Sequence, residues 1–358
     1  MPLTWEAPLI ELLKKNKIKN VTLFYWIQGT AHLSVAKNIH EVLSKHGYQV
    51  DMFDPMAVGQ PVAHWIWVRV SAWFSTLMHR FGGKKSFNKY LIDNDQPQRV
   101  PPFLQFWREV AFFWYCNQRT RARLENNKTQ LIISCSSFVN MMATYLKKEH
   151  FQQIKVANVL TDYLVHSGHL CVAEMVDYFL VPNQQIAGEM TKRGVAKKKI
   201  MITGIPVSSQ FNPQLYKVKK NNPPVILFSC GGGMGLADNF IYFKKLLENF
   251  GNTYQYLFLA GQNKNLLKRA RALAQRSSAK ISIFPYTDKM AKLMAVADLV
   301  ITKPGGLTVT ECIAMKKQLL LINPIPGQEE FNAKFAVENY GAWWANTPEE
   351  MLAILQKY

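Results

Sequence analysis

The sequence predicts an α/β protein built from two parallel, doubly wound sheets. Short apolar runs typical of buried strands alternate with amphipathic helical patterns from residue 19 to residue 207, and the alternation begins again at residue 225. The segment 212–224 between them is polar, basic and flanked by prolines, which is typical of an interdomain linker. A chain of 358 residues is also long for a single hydrophobic core. We therefore expect an N-terminal domain at 1–211, the linker at 212–224 and a C-terminal domain at 225–358.

The N-terminal domain opens with a strand at 19–27, a turn and a helix, which is how a parallel doubly wound sheet begins. His32 lies at this first turn, and Asp162 and His166 follow a later predicted strand at 154–160. Because ligands gather at the carboxyl ends of parallel strands, these three residues are candidates for acid–base or substrate contacts. The alternatives are ordinary ones, since a histidine at a helix start often caps or packs and an aspartate often begins a turn.

A glycine-rich turn follows the first strand of the C-terminal domain. The strand at 225–229 runs into segment 230–236, which contains Gly232 and Gly233. Glycine at such a turn suits a backbone that passes close to a pyrophosphate or a sugar. The segment lacks the Gly-Lys-Ser/Thr ending of an ATPase phosphate loop and fits the dinucleotide fingerprint poorly. Kinase-like and NAD-dependent activities are therefore minor alternatives.

Two further strand-to-helix turns, at 302–311 and 323–330, converge on one crevice. Pro304 ends the strand at 298–302, and the two glycines after it allow either a turn with positive φ or a close approach to a ligand. The N–H groups at the start of the next helix suit a phosphate, and Glu311 lies about one turn further on, where it can bind vicinal hydroxyls. The candidate residues of these turns are Gly305, Gly306, Thr308, Glu311, Gln328 and Glu329. The simpler alternative is two well-formed loops of an α/β domain.

The net charge of +19 indicates an anionic partner, either nucleic acid, an acidic membrane surface or a phosphorylated ligand. No run of 18 apolar residues and no signal-peptide pattern occurs, so we expect no transmembrane helix and no secretion. Five cysteines without a Cys-x-x-Cys pair predict free thiols in a reducing compartment and no structural zinc. A cytoplasmic protein, peripheral at the inner face of the cell membrane, fits these observations.

Residues 56–115 are rich in aromatic and basic side chains. Indole rings settle at the depth of lipid headgroups and Lys/Arg meet acidic lipids, so this composition favours contact with a membrane or a lipid. The residues predicted to make that contact are Trp65, Trp67, Trp73 and Arg80. The alternative is a set of ordinary buried helices whose aromatic side chains face a core.

Several of these segments resemble a known family. Lys303-Pro-Gly-Gly-Leu-Thr308 and Pro324-Ile-Pro-Gly-Gln-Glu-Glu330 are similar to the donor-site motifs of the diacylglycerol glycosyltransferases, and Thr161-Asp-Tyr-Leu-Val-His166 is similar to a segment that faces their interdomain cleft. The family comprises the plant monogalactosyldiacylglycerol synthases and the bacterial processive diacylglycerol β-glucosyltransferases. It is related to the transferase that adds N-acetylglucosamine to lipid I.

The resemblance implies two Rossmann-like domains facing across a cleft, the arrangement called GT-B. It implies transfer of a hexose from UDP-glucose or UDP-galactose to diacylglycerol, with inversion, at an anionic membrane surface. His32 would be the base and Asp162 a second catalytic residue, with His166 beside the acceptor. On the donor side, Glu311 would bind the ribose and Gln328 and Glu329 the sugar. The pyrophosphate would contact Gly232, Gly233, Gly305, Gly306 and Thr308. No cofactor is expected, and no metal is required, because helix N-termini and fixed N–H donors can meet the charge that develops on UDP.

Three alternatives stay open at this point. A related transferase with a polyprenyl-linked acceptor would share the donor motifs. A nucleotide-sugar epimerase would use the same architecture without a lipid surface. A protein that binds nucleic acid would explain the charge but not the two donor-like turns.

Overall fold

The computed structural model describes residues 5–26, 30–59, 118–217, 221–230, 237–325 and 327–357. Contacts divide the chain into two compact units, Met1–Pro206 and Val207–Tyr358. The division falls just before the linker predicted at 212–224. Within these described ranges, no helix is long and apolar enough to cross a membrane.

The N-terminal unit contains one parallel sheet. Its strands are β1 Asn20–Phe24, β2 Gln49–Phe53, β3 Leu131–Ser134, β4 Lys155–Val159, β5 Tyr178–Val181 and β6 Ile200–Ile202. The described helices are α1 Glu6–Lys15, α2 Thr30–Lys45, α3 Pro55–Gly59, α4 Gln118–Asn126, α5 Ser137–Glu149, α6 Ser167–Leu170 and α7 Gln184–Lys192, with a 3-10 turn at Lys197–Lys199. The strand order is β2-β1-β3-β4-β5-β6.

The strands β1, β3, β4 and β5 of this sheet are buried along nearly their whole length, as expected for a parallel sheet with helices on both faces. All four residues of β3 are buried, and the last four of β1 are buried as well. Helix α2 turns Val35 and Ile39 inward, and both are fully buried. Helix α5 begins where the Ser136 hydroxyl accepts the Phe138 N–H at 3.3 Å, which satisfies a donor of the first turn.

The C-terminal unit contains a second parallel sheet. Its strands are β7 Val225–Ser229, β8 Gln255–Leu259, β9 Ile281–Phe284, β10 Leu299–Thr302, β11 Gln318–Ile322 and β12 Trp343–Ala345. The helices are α8 Phe240–Phe250, α9 Lys264–Gln275, α10 Met290–Val296, α11 Gly306–Ala314, α12 Gln328–Tyr340 and α13 Pro348–Leu355, with 3-10 turns at Pro213–Leu215, Ala237–Asn239 and Gly251–Thr253. The strand order is β12-β11-β10-β7-β8-β9. Phe228, Phe243 and Phe258, all fully buried, form the centre of its core.

Each sheet reverses its strand order once, between β1 and β3 in the first unit and between β7 and β10 in the second. Loops on the two sides of such a switch point diverge and leave a crevice at the carboxyl ends of the strands. The turn after β1 leads to His32, and the turn after β10 leads to Gly305. The predicted α/β fold with two doubly wound sheets is therefore confirmed, and the sequence pattern placed candidate residues at both switch points.

Four cysteines in the described part of the chain, Cys135, Cys171, Cys230 and Cys312, are free thiols. Cys116 lies outside it.

Candidate active site

His32 lies in the first turn of α2, just beyond the carboxyl end of β1. Its Nδ1 atom is buried and has no hydrogen-bond partner in the part of the chain that the structure describes. Burial lowers the pKa of His32, while the charge of Asp162 and a hydrogen bond with the Cys135 backbone raise it. Cys135 directly follows β3, the neighbour of β1 across the switch point. The balance leaves His32 neutral near pH 7, and a neutral imidazole is the form that can accept a proton.

Asp162 and His166 follow β4, the next strand of the sheet. The Thr161 hydroxyl donates to Asp162 Oδ2 at 3.3 Å. His166 caps α6, and its Nδ1 accepts the Gly168 N–H at 3.1 Å. Burial lowers the pKa of His166 to about 4, with Asp162 opposing the shift and Arg193 and His32 adding to it. His166 is therefore neutral at pH 7 and carries its proton on Nε2.

His169 is a third histidine of this cluster, and the sequence analysis missed it. Its ring centroid lies 4.1 Å from that of His166. Its Nδ1 lies 2.8 Å from Asn158 Oδ1. The Asn158 amide group donates to the carbonyl and hydroxyl oxygens of Ser134, both at 3.3 Å, so Asn158 Oδ1 is left to accept the proton of His169 Nδ1. Burial holds the pKa of His169 well below its ordinary value, and His166, His32 and Arg193 lower it further. The spacing His-x-x-His from 166 to 169 was the available signal.

The second group of candidate residues surrounds the start of α11. Gly305 is the N-cap residue, with φ −69° and ψ 135°. Neither it nor Gly306 has a positive φ, which rules out the first of the two possibilities given for these glycines, whereas Gly327 in the next turn has a φ of 91°. A Cβ at Gly305 would lie 3.8 Å from Lys303 Nζ and 4.0 Å from Thr308 Oγ1. That is ordinary contact, so the reason for glycine at 305 is not crowding within the described residues, and close approach of a ligand stays a prediction.

Glu311 lies in the middle of α11 and forms no ion pair with any described residue. Burial raises the pKa of its carboxyl group to about 8. The group therefore holds a proton near neutral pH and can both donate and accept hydrogen bonds, which matches the two roles of a vicinal diol. The ribose contact of Glu311 stays a prediction.

The turn after β10 is tied to the turn after β11. Lys303 Nζ forms an ion pair with Glu329 Oε1, and Glu329 Oε2 accepts the Ile325 N–H at 2.9 Å. The Asn332 amide donates to the Pro304 carbonyl at 3.0 Å. Both carboxylate oxygens of Glu329 are thus in use, whereas Gln328, the first residue of α12, is exposed. Neither Lys303 nor Asn332 was a predicted site residue, although Lys303 stands in the quoted Lys-Pro-Gly-Gly motif.

The structure thus brings His32, Asp162 and His166 together in the N-terminal unit. In the C-terminal unit the residues of the turns after β10 and β11 lie together, namely Gly305, Gly306, Thr308, Glu311, Gln328 and Glu329. The remaining predicted residues lie outside the described ranges, namely Gly232, Gly233, Trp65, Trp67, Trp73 and Arg80.

Comparison with family models accounts for nearly the whole chain. Residues 32–207 match the model of monogalactosyldiacylglycerol (MGDG) synthase, and residues 232–357 match the glycosyltransferase family 28 C-terminal domain. The chain belongs to the diacylglycerol glycosyltransferase family. The first match begins at His32 and ends at Val207, beside the division between the two units. The second contains the turns after β10 and β11.

Curated relatives of this glycosyltransferase carry the name processive diacylglycerol β-glucosyltransferase. The Bacillus cereus (strain B4264) protein is 26% identical over 344 residues, which cover 90% of this chain and 80% of the relative. The Bacillus subtilis (strain 168) protein is 26% identical over 353 residues, which cover 94% and 86%.

Solved structures confirm the fold. The MurG structure of Acinetobacter baumannii superposes with a TM-score of 0.61 at 16% identity, covering 95% of this chain and 91% of that one. A glycosyltransferase from Rickettsia africae superposes with a TM-score of 0.53 at 14% identity, covering 95% and 88%. The family models and the curated relatives, for their part, confirm the family expected from the sequence motifs, and with it glycosyltransferase activity.

Proposed function

We propose that this glycosyltransferase moves a hexose from a UDP-sugar to the free hydroxyl of diacylglycerol, with inversion at the anomeric carbon. The observation that carries the proposal is the match of both halves of the chain to family models, the first of them beginning at the buried, neutral His32. The relatives named processive diacylglycerol β-glucosyltransferase support the lipid acceptor.

His32 is the base of the proposed reaction. It takes the proton of the acceptor hydroxyl while that oxygen forms a bond to the anomeric carbon, and the bond from this carbon to the diphosphate oxygen breaks with its electron pair leaving on UDP. His32 becomes an imidazolium in this step. The nearby charge of Asp162 favours that cation, and His166 and His169 do not repel it because both are neutral.

The donor is proposed to bind at the turns after β10 and β11. The start of α11, with Gly305, Gly306 and Thr308, would receive the pyrophosphate, together with Gly232 and Gly233. Glu311 would bind the ribose, and Gln328 and Glu329 the hexose. Because N–H groups and the positive end of the helix dipole oppose the charge that develops on the leaving group, we propose that the reaction needs no metal and no cofactor.

The acceptor is a membrane lipid, so the enzyme is proposed to work at the cytoplasmic face of an anionic membrane as a peripheral protein. The net charge of +19 supports this attraction, since each basic residue near an anionic surface contributes about 1 kcal/mol. The aromatic residues Trp65, Trp67 and Trp73, with Arg80, remain the predicted contact.

The test is UDP release from UDP-glucose and UDP-galactose, with diacylglycerol presented in phosphatidylglycerol vesicles. We expect turnover that requires diacylglycerol and that falls about 10²- to 10⁴-fold in His32→Ala, the usual range for a lost general base. His46→Ala is the matched control, because His46 is an exposed histidine at the other end of the same helix.

The other outcomes separate the alternatives. Saturable UDP binding without turnover would point to another acceptor or an inactive transferase. If the wild-type chain shows neither turnover nor UDP binding but binds single-stranded nucleic acid in a salt-sensitive manner, the proposal is overturned. Epimerisation of the UDP-sugar without vesicles would favour an epimerase.

A further inference from the structure

Lys303 and Glu329 form an ion pair that is largely shielded from water. The proposed reaction described above gives the pair no joint role. The Lys303 side chain is 19% exposed and the Glu329 side chain 9% exposed. Glu329 is also anchored to its own turn, since its second oxygen accepts the Ile325 N–H at 2.9 Å. Shielding two charges from water is costly, and an ion pair of this kind is weak evidence for a purely stabilising role.

Lys303 has hydrogen-bonding capacity left over. An ammonium group offers three donors, and in the described ranges Glu329 is the hydrogen-bond partner of Lys303 Nζ. The two partners therefore differ, because the carboxylate of Glu329 has both oxygens engaged whereas the ammonium retains donors for a further acceptor.

The position of the ammonium indicates what that acceptor is. A Cβ placed on Gly305 would lie 3.8 Å from Lys303 Nζ and 4.0 Å from Thr308 Oγ1, so both groups stand at the first turn of α11. The N–H groups of that turn have no acceptor within the helix, and the helix dipole is positive there. A lysine ammonium added to a helix N-terminus favours a polyanion over a neutral sugar.

The pair also joins the two turns of the proposed donor site. Lys303 belongs to the turn proposed for the pyrophosphate, and Glu329 follows Gln328 in the turn proposed for the hexose. In a UDP-sugar, the β-phosphate is the part of the pyrophosphate that is bonded to the hexose. It gains negative charge when its oxygen separates from the anomeric carbon.

We propose that Lys303 is a ligand of the β-phosphate of the nucleoside diphosphate, and that Glu329 is a positioning residue that holds the ammonium there. The assignment rests on the proposed function and deepens it. In the reaction, the ammonium opposes the charge that develops on the leaving diphosphate. Glu329 acts through Lys303, and this role replaces its direct hexose contact in the proposed function, while Gln328 keeps that contact.

The test compares UDP with UMP, which lacks the β-phosphate, by isothermal titration calorimetry on the full chain. We expect Lys303→Met to weaken UDP binding about tenfold or more, the usual effect of losing one hydrogen bond to a charged group, and to leave UMP binding within about twofold. Glu329→Gln also breaks the ion pair but keeps the ammonium, so it should reduce the preference for UDP, and by less than Lys303→Met does. Lys317→Met is the matched control. Lys317 lies just before β11 and is also a part-buried lysine, but its Nζ donates to the carbonyls of Ala295 and Ala297 and not to a residue of the donor site.

Each other result has a defined meaning. If Lys303→Met and Glu329→Gln reduce the UDP preference equally, the pair only braces the two turns and the inference is wrong. The same holds if Lys303→Met leaves the ratio of UDP to UMP affinity unchanged. If the wild-type chain binds UDP no better than UMP while still turning over a UDP-sugar, the β-phosphate ligand is refuted and the proposed function stands. Absence of any UDP binding to the wild type would refute both.

Discussion

The strands β1 and β10 each border the switch point of their sheet, yet different ionisable groups lie at their carboxyl ends. At β1 the described site gathers His32, His166 and His169, whose pKa values are all lowered by burial, near the charges of Asp162 and Arg193. At β10 it gathers an ion pair, a helix N-terminus and a carboxyl group that holds its proton to about pH 8. In the proposed function, one fold thus supplies a proton acceptor at one switch point and a site for an anion at the other. The sheet topology determines where a site can form, and a few side chains determine which chemical group that site can bind.

The largest effect in this comparison is expected from Asp162→Asn. Asp162 raises the pKa of His32 and of His166, so its loss lowers both. The acidic limb of kcat/KM should move to lower pH, while the maximum should fall by about 10- to 100-fold because the imidazolium loses its nearby charge. His169 and Arg193, the other groups that influence this cluster, are unchanged by the substitution. The measurement is a pH–rate profile.

The control for that profile is Glu41→Gln, which removes a negative charge from the exposed face of the same helix α2. It should leave the acidic limb in place. A limb that moves to higher pH in Asp162→Asn would contradict the assigned coupling.

The next effect concerns stability. Asn158 is fully buried and bonds His169 on one side and Ser134 on the other. Asn158→Ala should lower the free energy of unfolding by about 2–3 kcal/mol, because it leaves buried donors and acceptors unpaired. Denaturant unfolding measures the change. Asn249→Ala, at an exposed helix position in the other unit, should stay within about 0.5 kcal/mol of wild type. Equal effects for the two variants would show that the buried network contributes nothing.

The smallest effect is expected at Glu311. Its folded-state pKa is raised above the ordinary value of 4.5 to about 8, so the folded chain binds this proton more tightly than the unfolded chain does. The resulting stability is complete below pH 4.5 and is lost as the pH rises through about 8. Glu311→Gln should therefore show a flatter stability profile across this window, measured as melting temperature against pH.

Glu338→Gln, at an exposed position of α12, is the control and should keep the wild-type slope. If both variants keep the slope, the carboxyl group of Glu311 is better hydrated than its lack of an ion-pair partner suggests.

Sequence patterns correctly predicted many of the strands and the positions of several candidate site residues. The strand at 225–229 was predicted with the bounds that the structure shows, because a run of apolar β-branched and aromatic residues bounded by prolines and glycines leaves few alternatives. His32, Asp162 and Gly305 were predicted at carboxyl ends of strands, and the structure places them there. Turn residues and hydrophobic periodicity are local signals, and they report local structure well.

His169, Lys303 and Asn332 escaped that analysis for a physical reason. Each acquires its role from a partner distant in the sequence: His169 from Asn158 and His32, Lys303 from Glu329, and Asn332 from Pro304. The His-x-x-His spacing and the Lys-Pro-Gly-Gly motif mark two of these positions in the sequence, but neither pattern indicates the partner that gives the side chain its role. The sequence also left open whether the glycines at 305 and 306 have a positive φ, since glycine adopts negative and positive φ about equally well, and the structure shows that they do not.

By itself, the sequence determined the alternation of strands and helices, the division into two sheets and the family, because each depends on residue order and on short motifs. The tertiary structure alone decided that β1 pairs with β3, which places His32 near the backbone of Cys135. It also decided which histidines are neutral, which nitrogen of His166 and His169 carries the proton, and which carboxylate holds Lys303. Protonation states and hydrogen-bond directions depend on burial and on distances between atoms far apart in the chain, and these exist only once the sheet has assembled.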